Sequence, residues 1–377
     1  MIPFPPRRHL LMTADAVGGV WVYASSLAQE MAKRGWTVTL VTLGPAPRPD
    51  QFLPLLACQD IELEITDLQL EWQDPRGQDR QRVLDYLGAL EERLHPDIVH
   101  LNGYREACAS WRAPVLVAAH SCVGSWWRAC RGSAPDADWE PYLADIAAGL
   151  AAADRWVAPT AAFRDVIQAL YGPPLPGEVI FNGLALDAPA SVKEPFILAA
   201  GRLWDEAKNV GMLPAIASGL DWPVRIAGAM RHQDNETAAA DGVSWLGHIE
   251  RGDLCALMGR AGIFVSPALY EPFGLTVLEA AASGCALVLA DIPGFRELWE
   301  GAALFVDPRD GRAIRDALNL LARDGQRRKA LQAAARLRAA RYDLNAKADA
   351  YQRLYGQMLG RHARRLQSLA APLEAHP

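Results

Sequence analysis

Glu271 and Glu279 sit eight positions apart in the run Glu271-Pro-Phe-Gly274-Leu-Thr-Val-Leu-Glu279. Pro272 and Gly274 read as an irregular loop. From Leu275 to Ala282 good helix formers follow without a breaker, so Glu271 is placed on a loop and Glu279 inside a helix. The start of that helix offers free backbone N–H groups and a positive dipole end, which favours an anion, above all phosphate. A phosphate socket between two acceptor carboxylates suits a ligand with phosphates in the middle and hydroxyls at both ends. A nucleotide sugar has that form.

Other candidate residues lie at the ends of expected strands. Arg202 and Lys208 share one loop, and such a pair can bracket a diphosphate, the Arg as a planar fork and the Lys as a point charge. Taken alone they also read as two solvated charges. Gly247-His248-Ile249 follows a short strand, and Gly247 permits close backbone approach to a flat nucleobase. Asp15-Ala-Val-Gly18-Gly19 follows a strand and opens a helix, yet it lacks the G-x-G-x-x-G dinucleotide fingerprint. His120 ends a strand, where open α/β sheets place ligand residues. Residues 121–138 read as an irregular loop carrying Trp126, Trp127, Arg128 and Arg131. Trp rings suit sugar faces and Arg suits an acidic or phosphorylated group, so this loop is the first place to look for an acceptor. A packed structural loop is the other reading.

The elements that must position these residues alternate between strand and helix patterns almost throughout. Strands are expected at 9–13, 37–43, 97–101, 114–119, 156–158 and 178–181, then at 196–200, 224–227, 243–245, 262–266, 286–290 and 303–306. Helices are expected at 20–34, 80–94, 140–153 and 161–170, and the chain is helical from 310 onward. Residues 183–195, with Gly183, Pro189, Ser191 and Pro195, read as a linker. The division is a first domain over 1–182, the linker, a second domain over 196–345 and a terminal helix over 346–377. Two doubly wound domains would then face one another across a cleft.

The chain has 377 residues, suited to two cores rather than one. It is 51% hydrophobic and 22% charged, an ordinary globular composition. A net charge of −6 gives no basic field for nucleic acid. The six Cys show no C-x-x-C pair and no metal-like spacing with His, and read as reduced, mostly buried thiols of a cytosolic protein. No signal peptide and no apolar run long enough to span a membrane is evident.

At this point the chain resembles glycosyltransferase family 4, the retaining, nucleotide-sugar-dependent group with the GT-B fold. The resemblance is carried by Gly201-Arg202, Lys208-Asn209, Gly247-His248, the Glu271–Glu279 block and Ser283-Gly284, supported by Gly18-Gly19, His120 and Asn182-Gly183. It implies an NDP-sugar donor, UDP- or GDP-linked, a hexosyl unit as the transferred group and no metal or other cofactor. It implies that Arg202 and Lys208 bind the diphosphate and stabilise it as a leaving group, and that Glu279 holds the ribose. Glu271 would read hydroxyls of the transferred sugar beside the N–H groups of Phe273, Gly274 and Leu275. His120 would lie near the reacting sugar, and Gly18 and Gly19 would close over phosphate and acceptor. Arg202 and Lys208 stand one residue further apart than is usual in that family. The acceptor is left open among carbohydrate, lipid-linked and small molecules. A short basic tail at 361–365 admits peripheral contact with the inner face of a membrane. A GT-B sugar-nucleotide epimerase and a non-catalytic binding subunit of the same fold are the rival readings.

Overall fold

Short apolar runs bounded by Gly, Pro and polar residues become buried parallel strands here, because helices cover both faces of each sheet. A computed structural model describes residues 7–185, 191–228 and 242–370. The first sheet contains β1 (His9–Asp15), β2 (Thr37–Leu43), β3 (Ile61–Ile65), β4 (Ile98–Leu101), β5 (Val115–Ala118), β6 (Arg155–Ala158) and β7 (Glu178–Val179). Their order is β3-β2-β1-β4-β5-β6-β7. The second contains β8 (Glu194–Ala200), β9 (Val224–Ala227), β10 (Val243–Gly247), β11 (Ala261–Ser266), β12 (Ala286–Ala290) and β13 (Ala303–Val306), in the order β10-β9-β8-β11-β12-β13. Every pairing is parallel; Leu10, for example, stands opposite Val38 on one side and Ile98 on the other.

Both orders reverse direction once, between β1 and β4 and between β8 and β11. At such a switch point the two adjacent crossovers leave on opposite faces, and a crevice opens at the carboxyl ends of the strands. The residues just past β1, β4, β8 and β11 are therefore the ones the topology places at a crevice. They include Gly18, Asn102, Arg202 and Glu271.

Several expectations are corrected. The segment between β2 and the helix Arg80–Leu94, for which the sequence reading has no element, holds the helix Pro49–Leu56 and β3. The alternation Ile-Glu-Leu-Glu-Ile in β3 was a legible edge-strand signal. Residues 121–138 are not irregular: they form the helix Val123–Arg131 and a 3₁₀ turn at Ala137–Trp139. The Cys122 side chain caps the first helix by accepting from the Ser125 N–H, and Gly132 ends it in the left-handed conformation. Val123, Trp126, Trp127 and Cys130 follow helical spacing, a pattern that the Trp- and Arg-rich composition obscured. All six thiols are free, but only Cys122 and Cys285 are buried. Part of the linker, residues 186–190, lies outside the described residues.

The long helix Leu344–Ala370 runs back onto the first domain. Ala348, Tyr351, Leu354, Tyr355 and Met358 join the same core cluster as Leu27, Met31 and Trp36. The chain thus crosses between domains twice, and the two crossings lie side by side. Leu184 N–H donates to the Tyr342 carbonyl and Leu344 N–H to the Leu184 carbonyl, each at 3.2 Å. Gly183 makes this possible, since a Cβ there would stand 2.3 Å from the Asp343 carbonyl oxygen. No helix among the described residues is long and apolar enough to cross a membrane.

Candidate active site between the two sheets

The second domain's residues come from the ends of β8, β10 and β11. After β8 the chain turns through Arg202 into a 3₁₀ turn, Glu206–Lys208, closed by Asn209 at φ 51°. Lys208 Nζ lies 2.6 Å from Glu271 Oε2, with both side chains about one-fifth exposed (21% and 18%). Arg202 Nη2 donates to Asp205 Oδ2 at 2.8 Å. Asp205 Oδ1 also accepts from the Ala207 N–H at 3.0 Å. Burial opposes ionisation of Asp205, yet the hydrogen bond and charge of Arg202 prevail and hold its carboxyl below the usual value.

Glu271 precedes the helix Leu275–Ala282, whose N-cap, Gly274, has φ 85° and supplies no side-chain cap. Phe273 is buried and Leu275 half-buried. Glu279 accepts from Arg251 Nε at 2.9 Å, and burial raises its pKa against the pull of that Arg. Gly247 closes β10 at φ 66°, after a register shift between Trp245 and Gly247, and His248 beside it is exposed.

In the first domain, Gly18 caps the helix Gly19–Lys33 at φ 92°, again with no side-chain cap. A Cβ on Gly18 would lie 2.6 Å from Arg202 Nη1, and one on Gly19 would lie 3.5 Å from Leu275 Cδ1. The two uncapped helix starts thus approach one another across the cleft, with Arg202 between them. His120 follows β5, and its Nε2 lies 2.7 Å from Asn102 Oδ1. Its ring meets Tyr23 edge-on at 4.3 Å. The residue is half-buried, and burial of the imidazole, with Lys347 nearby, lowers its pKa to about 3. His120 is therefore neutral at ordinary pH.

The tryptophan-bearing helix does not face open solvent in the cleft. Trp126 Nε1 donates to Asp205 Oδ1 at 3.1 Å, so the carboxylate that holds Arg202 is also bonded from the first domain. Arg131 stacks over Trp127 at 4.3 Å and lies 3.4 Å from Glu206. The Ser125 and Tyr270 hydroxyls are 2.7 Å apart. Glu297 accepts from the N–H groups of Ala161 and Ala162, both at 2.8 Å, and Thr160 Oγ1 donates to the Pro272 carbonyl. Arg128 is exposed. The structure brings Arg202, Lys208, Glu271, Gly18, Gly19 and the start of the helix Leu275–Ala282 together. It assigns Trp126 and Arg131 to contacts between domains.

Three residues escaped the sequence reading, Asp205, Asn102 and Arg251, and a fourth, Asp15, was named there only as the start of a glycine-bearing turn. Asp205 stands three residues after Arg202, in the same loop, and was legible there. Asn102 is the first residue past β4, a position that the switch point marks. Arg251 carries no local sign of its bond to Glu279. Asp15 ends β1, where burial lifts its carboxyl to about 6 against the Val17 N–H, the charge of Arg202 and a bond from Trp72. Among the described residues, no group of three or more His, Cys, Asp or Glu is arranged to hold a metal ion.

Comparison with known proteins agrees with this architecture. A profile for Glycosyltransferase Family 4 matches residues 17–188, and one for Glycosyl transferases group 1 matches residues 187–338. Glycogen synthase of Mycobacterium tuberculosis is 33% identical over 161 residues, 38% of this chain and 39% of that protein. GDP-mannose:cellobiosyl-diphosphopolyprenol alpha-mannosyltransferase of Komagataeibacter xylinus is 31% identical over 163 residues, 40% of this chain and 41% of that protein. The chain thus matches about two-fifths of the length of these curated relatives. Among solved structures, sucrose-phosphate synthase from Thermosynechococcus elongatus superposes with a TM-score of 0.80 at 20% identity, covering 94% of this chain and 100% of that one. Anabaena HepE in complex with UDP and glucose does so with a TM-score of 0.73 at 17% identity, over 93% of this chain and 100% of that one. At those identities the likeness is one of fold.

Proposed function

This chain belongs to the GT-B-fold glycosyltransferases of the family 4 and group 1 superfamily, and from that premise we propose that it moves a hexosyl unit from a nucleoside-diphosphate sugar to a hydroxyl acceptor with retention of configuration. One observation carries the reading. Two helices with uncapped N-termini, Gly19–Lys33 and Leu275–Ala282, meet across the cleft with Arg202 between them and Lys208 beside Glu271. Orphan N–H groups, two positive dipole ends and two cations form a site for a diphosphate.

The chemistry follows from the charge that develops. When the bond between the sugar's anomeric carbon and the β-phosphate oxygen breaks, negative charge grows on that phosphate and positive charge on the ring. Arg202, Lys208 and the helix N-termini would face the leaving phosphate as it gathers charge, and fixed dipoles need no reorganisation during the reaction. The acceptor hydroxyl forms the new bond on the face that the phosphate leaves, and its proton passes to the departing phosphate oxygen. Glu271 would hold hydroxyls of the transferred sugar, and Glu279 would hold the ribose once Arg251 shares or yields it. His120 would meet the sugar from the first domain. The contacts Trp126–Asp205, Ser125–Tyr270 and Glu297 to Ala161 and Ala162 join the domains around this volume, which would exclude water from an activated sugar.

The K. xylinus relative is named for a GDP-linked donor and the Anabaena structure for UDP, so both nucleotides belong in the test. Thermal shift against UDP, GDP, ADP and their sugars should single out one nucleotide with a clear rise in Tm. The preferred sugar nucleotide is then incubated with the protein, and the anomeric configuration of the released or transferred sugar is read by NMR. Stabilisation by no nucleotide would defeat the donor reading, and an inverted product would defeat retention.

A further inference from the structure

Asn102 is held by β1 in a way that leaves its carboxamide one orientation. Its side-chain Nδ2 donates to the Thr13 carbonyl at 2.6 Å, and its backbone N–H donates to Thr13 Oγ1 at 2.9 Å. Thr13 is buried. A flipped carboxamide would set two acceptor oxygens at that 2.6 Å spacing, so Oδ1 must face His120. Oδ1 lies 2.7 Å from His120 Nε2 and can only accept there. The hydrogen between them therefore belongs to Nε2. Neutral imidazole carries one ring N–H, so Nδ1 keeps its lone pair. Among the described residues no group hydrogen-bonds Nδ1, and His120 as a residue is half-buried.

We propose that Asn102 is a positioning residue that fixes His120 as the Nε2–H tautomer, so that Nδ1 accepts a hydrogen bond from a hydroxyl of the donor sugar and the site selects against sugars lacking an O–H at that point. This inference rests on the donor reading above. A carboxylate, an ether, a fluorine or a deoxy carbon has no hydrogen to give Nδ1, and the first three bring lone pairs against a lone pair. Sites built around a hydroxyl reject its absence far more strongly than sites that only accommodate it.

The rest of the setting supports a neutral ring. Tyr23 packs edge-on against His120. Lys347 Nζ lies 4.5 Å from the centre of the Tyr23 ring and donates to the Tyr23 carbonyl and Ser26 Oγ. His100 bonds both the Tyr23 and Tyr355 hydroxyls and is itself neutral, burial holding its pKa to about 3. Among the described residues, the titratable groups set around the ring are Tyr23, His100 and Lys347. None is a carboxylate that would pair with an imidazolium.

The test uses the full chain with ¹⁵N-labelled histidine, His120 being assigned by difference with His120→Gln. Long-range ¹H–¹⁵N spectra distinguish the two tautomers and the imidazolium. The wild type should show the Nε2–H form unchanged between about pH 5.5 and 8, well above its lowered pKa. Asn102→Asp supplies a carboxylate to Nε2–H, so His120 should titrate within that range. With the preferred sugar nucleotide, kcat/KM of Asn102→Asp should fall at least tenfold as pH drops through that titration, while nucleotide affinity stays level. Among deoxy and fluoro analogues of the donor sugar, one position should cost the wild type at least tenfold, and Asn102→Leu should narrow that difference. Nδ1–H in the wild type would overturn the proposal, as would a flat pH profile in Asn102→Asp or equal turnover of all analogues. If no sugar nucleotide is turned over, the donor reading fails, and the specificity half of this proposal fails with it. The spectra still decide the tautomer, and Asn102→Leu serves if Asn102→Asp does not fold.

Discussion

Lys208→Met removes one cation from the proposed leaving-group site and keeps most of the side chain's volume. In the structure Lys208 Nζ stands 2.6 Å from Glu271 Oε2 with about four-fifths of each side chain covered. Two separate losses follow. The first is structural: a partly buried carboxylate loses its partner, which sits between the ~0–1 kcal/mol of exposed pairs and the ~3–5 kcal/mol of fully buried ones, so about 1–2 kcal/mol of stability. Glu271→Gln in the same chain should recover most of it, because no charge is then left unpaired. The second is catalytic. A preorganised group aimed at charge that appears in the transition state contributes about 2.7–4 kcal/mol, or roughly 10²–10³ in kcat. The NDP product carries more charge at the β-phosphate than the NDP-sugar does, so Lys208→Met should weaken binding of NDP more than of NDP-sugar. NDP release from the sugar nucleotide, with water as acceptor, reads kcat without knowledge of the acceptor; calorimetry reads the two affinities. A kcat within about twofold of wild type, roughly 0.4 kcal/mol, would refute the leaving-group role. Equal losses of affinity for NDP and NDP-sugar would refute it too, because they would mark uniform binding.

Gly18→Ala places a Cβ 2.6 Å from Arg202 Nη1 at φ 92°. It should cost about 1–3 kcal/mol in a thermal melt and lower kcat/KM for the donor at least tenfold; a variant unchanged in both would mean that the cleft is wider than the structure has it. Gly183→Ala should lower Tm by an amount matching about 2–3 kcal/mol of overpacking, because its Cβ would meet the Asp343 carbonyl at 2.3 Å. An unaltered melt would show that the paired crossings yield freely. Glu279→Gln exchanges a charged acceptor for a neutral one, so the Kd for NDP should rise about tenfold, near 1.4 kcal/mol, while kcat holds; unchanged affinity removes Glu279 from the ribose. Burial lowers Lys347 from 10.5 to about 7. The unfolded chain therefore binds more protons between those two values, and stability rises with pH across that window. Lys347→Met should raise Tm more at pH 6 than at pH 10 and flatten the slope of Tm between them, and an unchanged slope would exclude Lys347 as its source.

The residues of the Glu271–Glu279 block, Arg202, Lys208 and His120 were legible because each signal is local. A carboxylate, a Gly and a helix-forming run in succession describe a loop entering a helix whatever surrounds them. A polar residue after an apolar run marks the end of a strand. The alternation of strand and helix fixed the fold class for the same reason, since burial on both faces writes itself into consecutive residues. β3 and the helix Val123–Arg131 were also written locally, in Ile-Glu-Leu-Glu-Ile and in the spacing of Val123, Trp126 and Cys130. Pairings between distant residues were not. Trp126 meets Asp205 across 79 residues, Arg251 meets Glu279 across 28, and His120 meets Asn102 across 18. No local pattern encodes which strand lies beside which. Sheet order placed Asn102 beside His120, and the packing of one domain on the other set the Trp126 helix against the Arg202 loop. The sequence by itself thus determined which chemical groups the protein owns and the elements that carry them. Only the tertiary structure decided their partners, because hydrogen bonds and charges act over a few ångströms of space and the chain's path alone sets those distances.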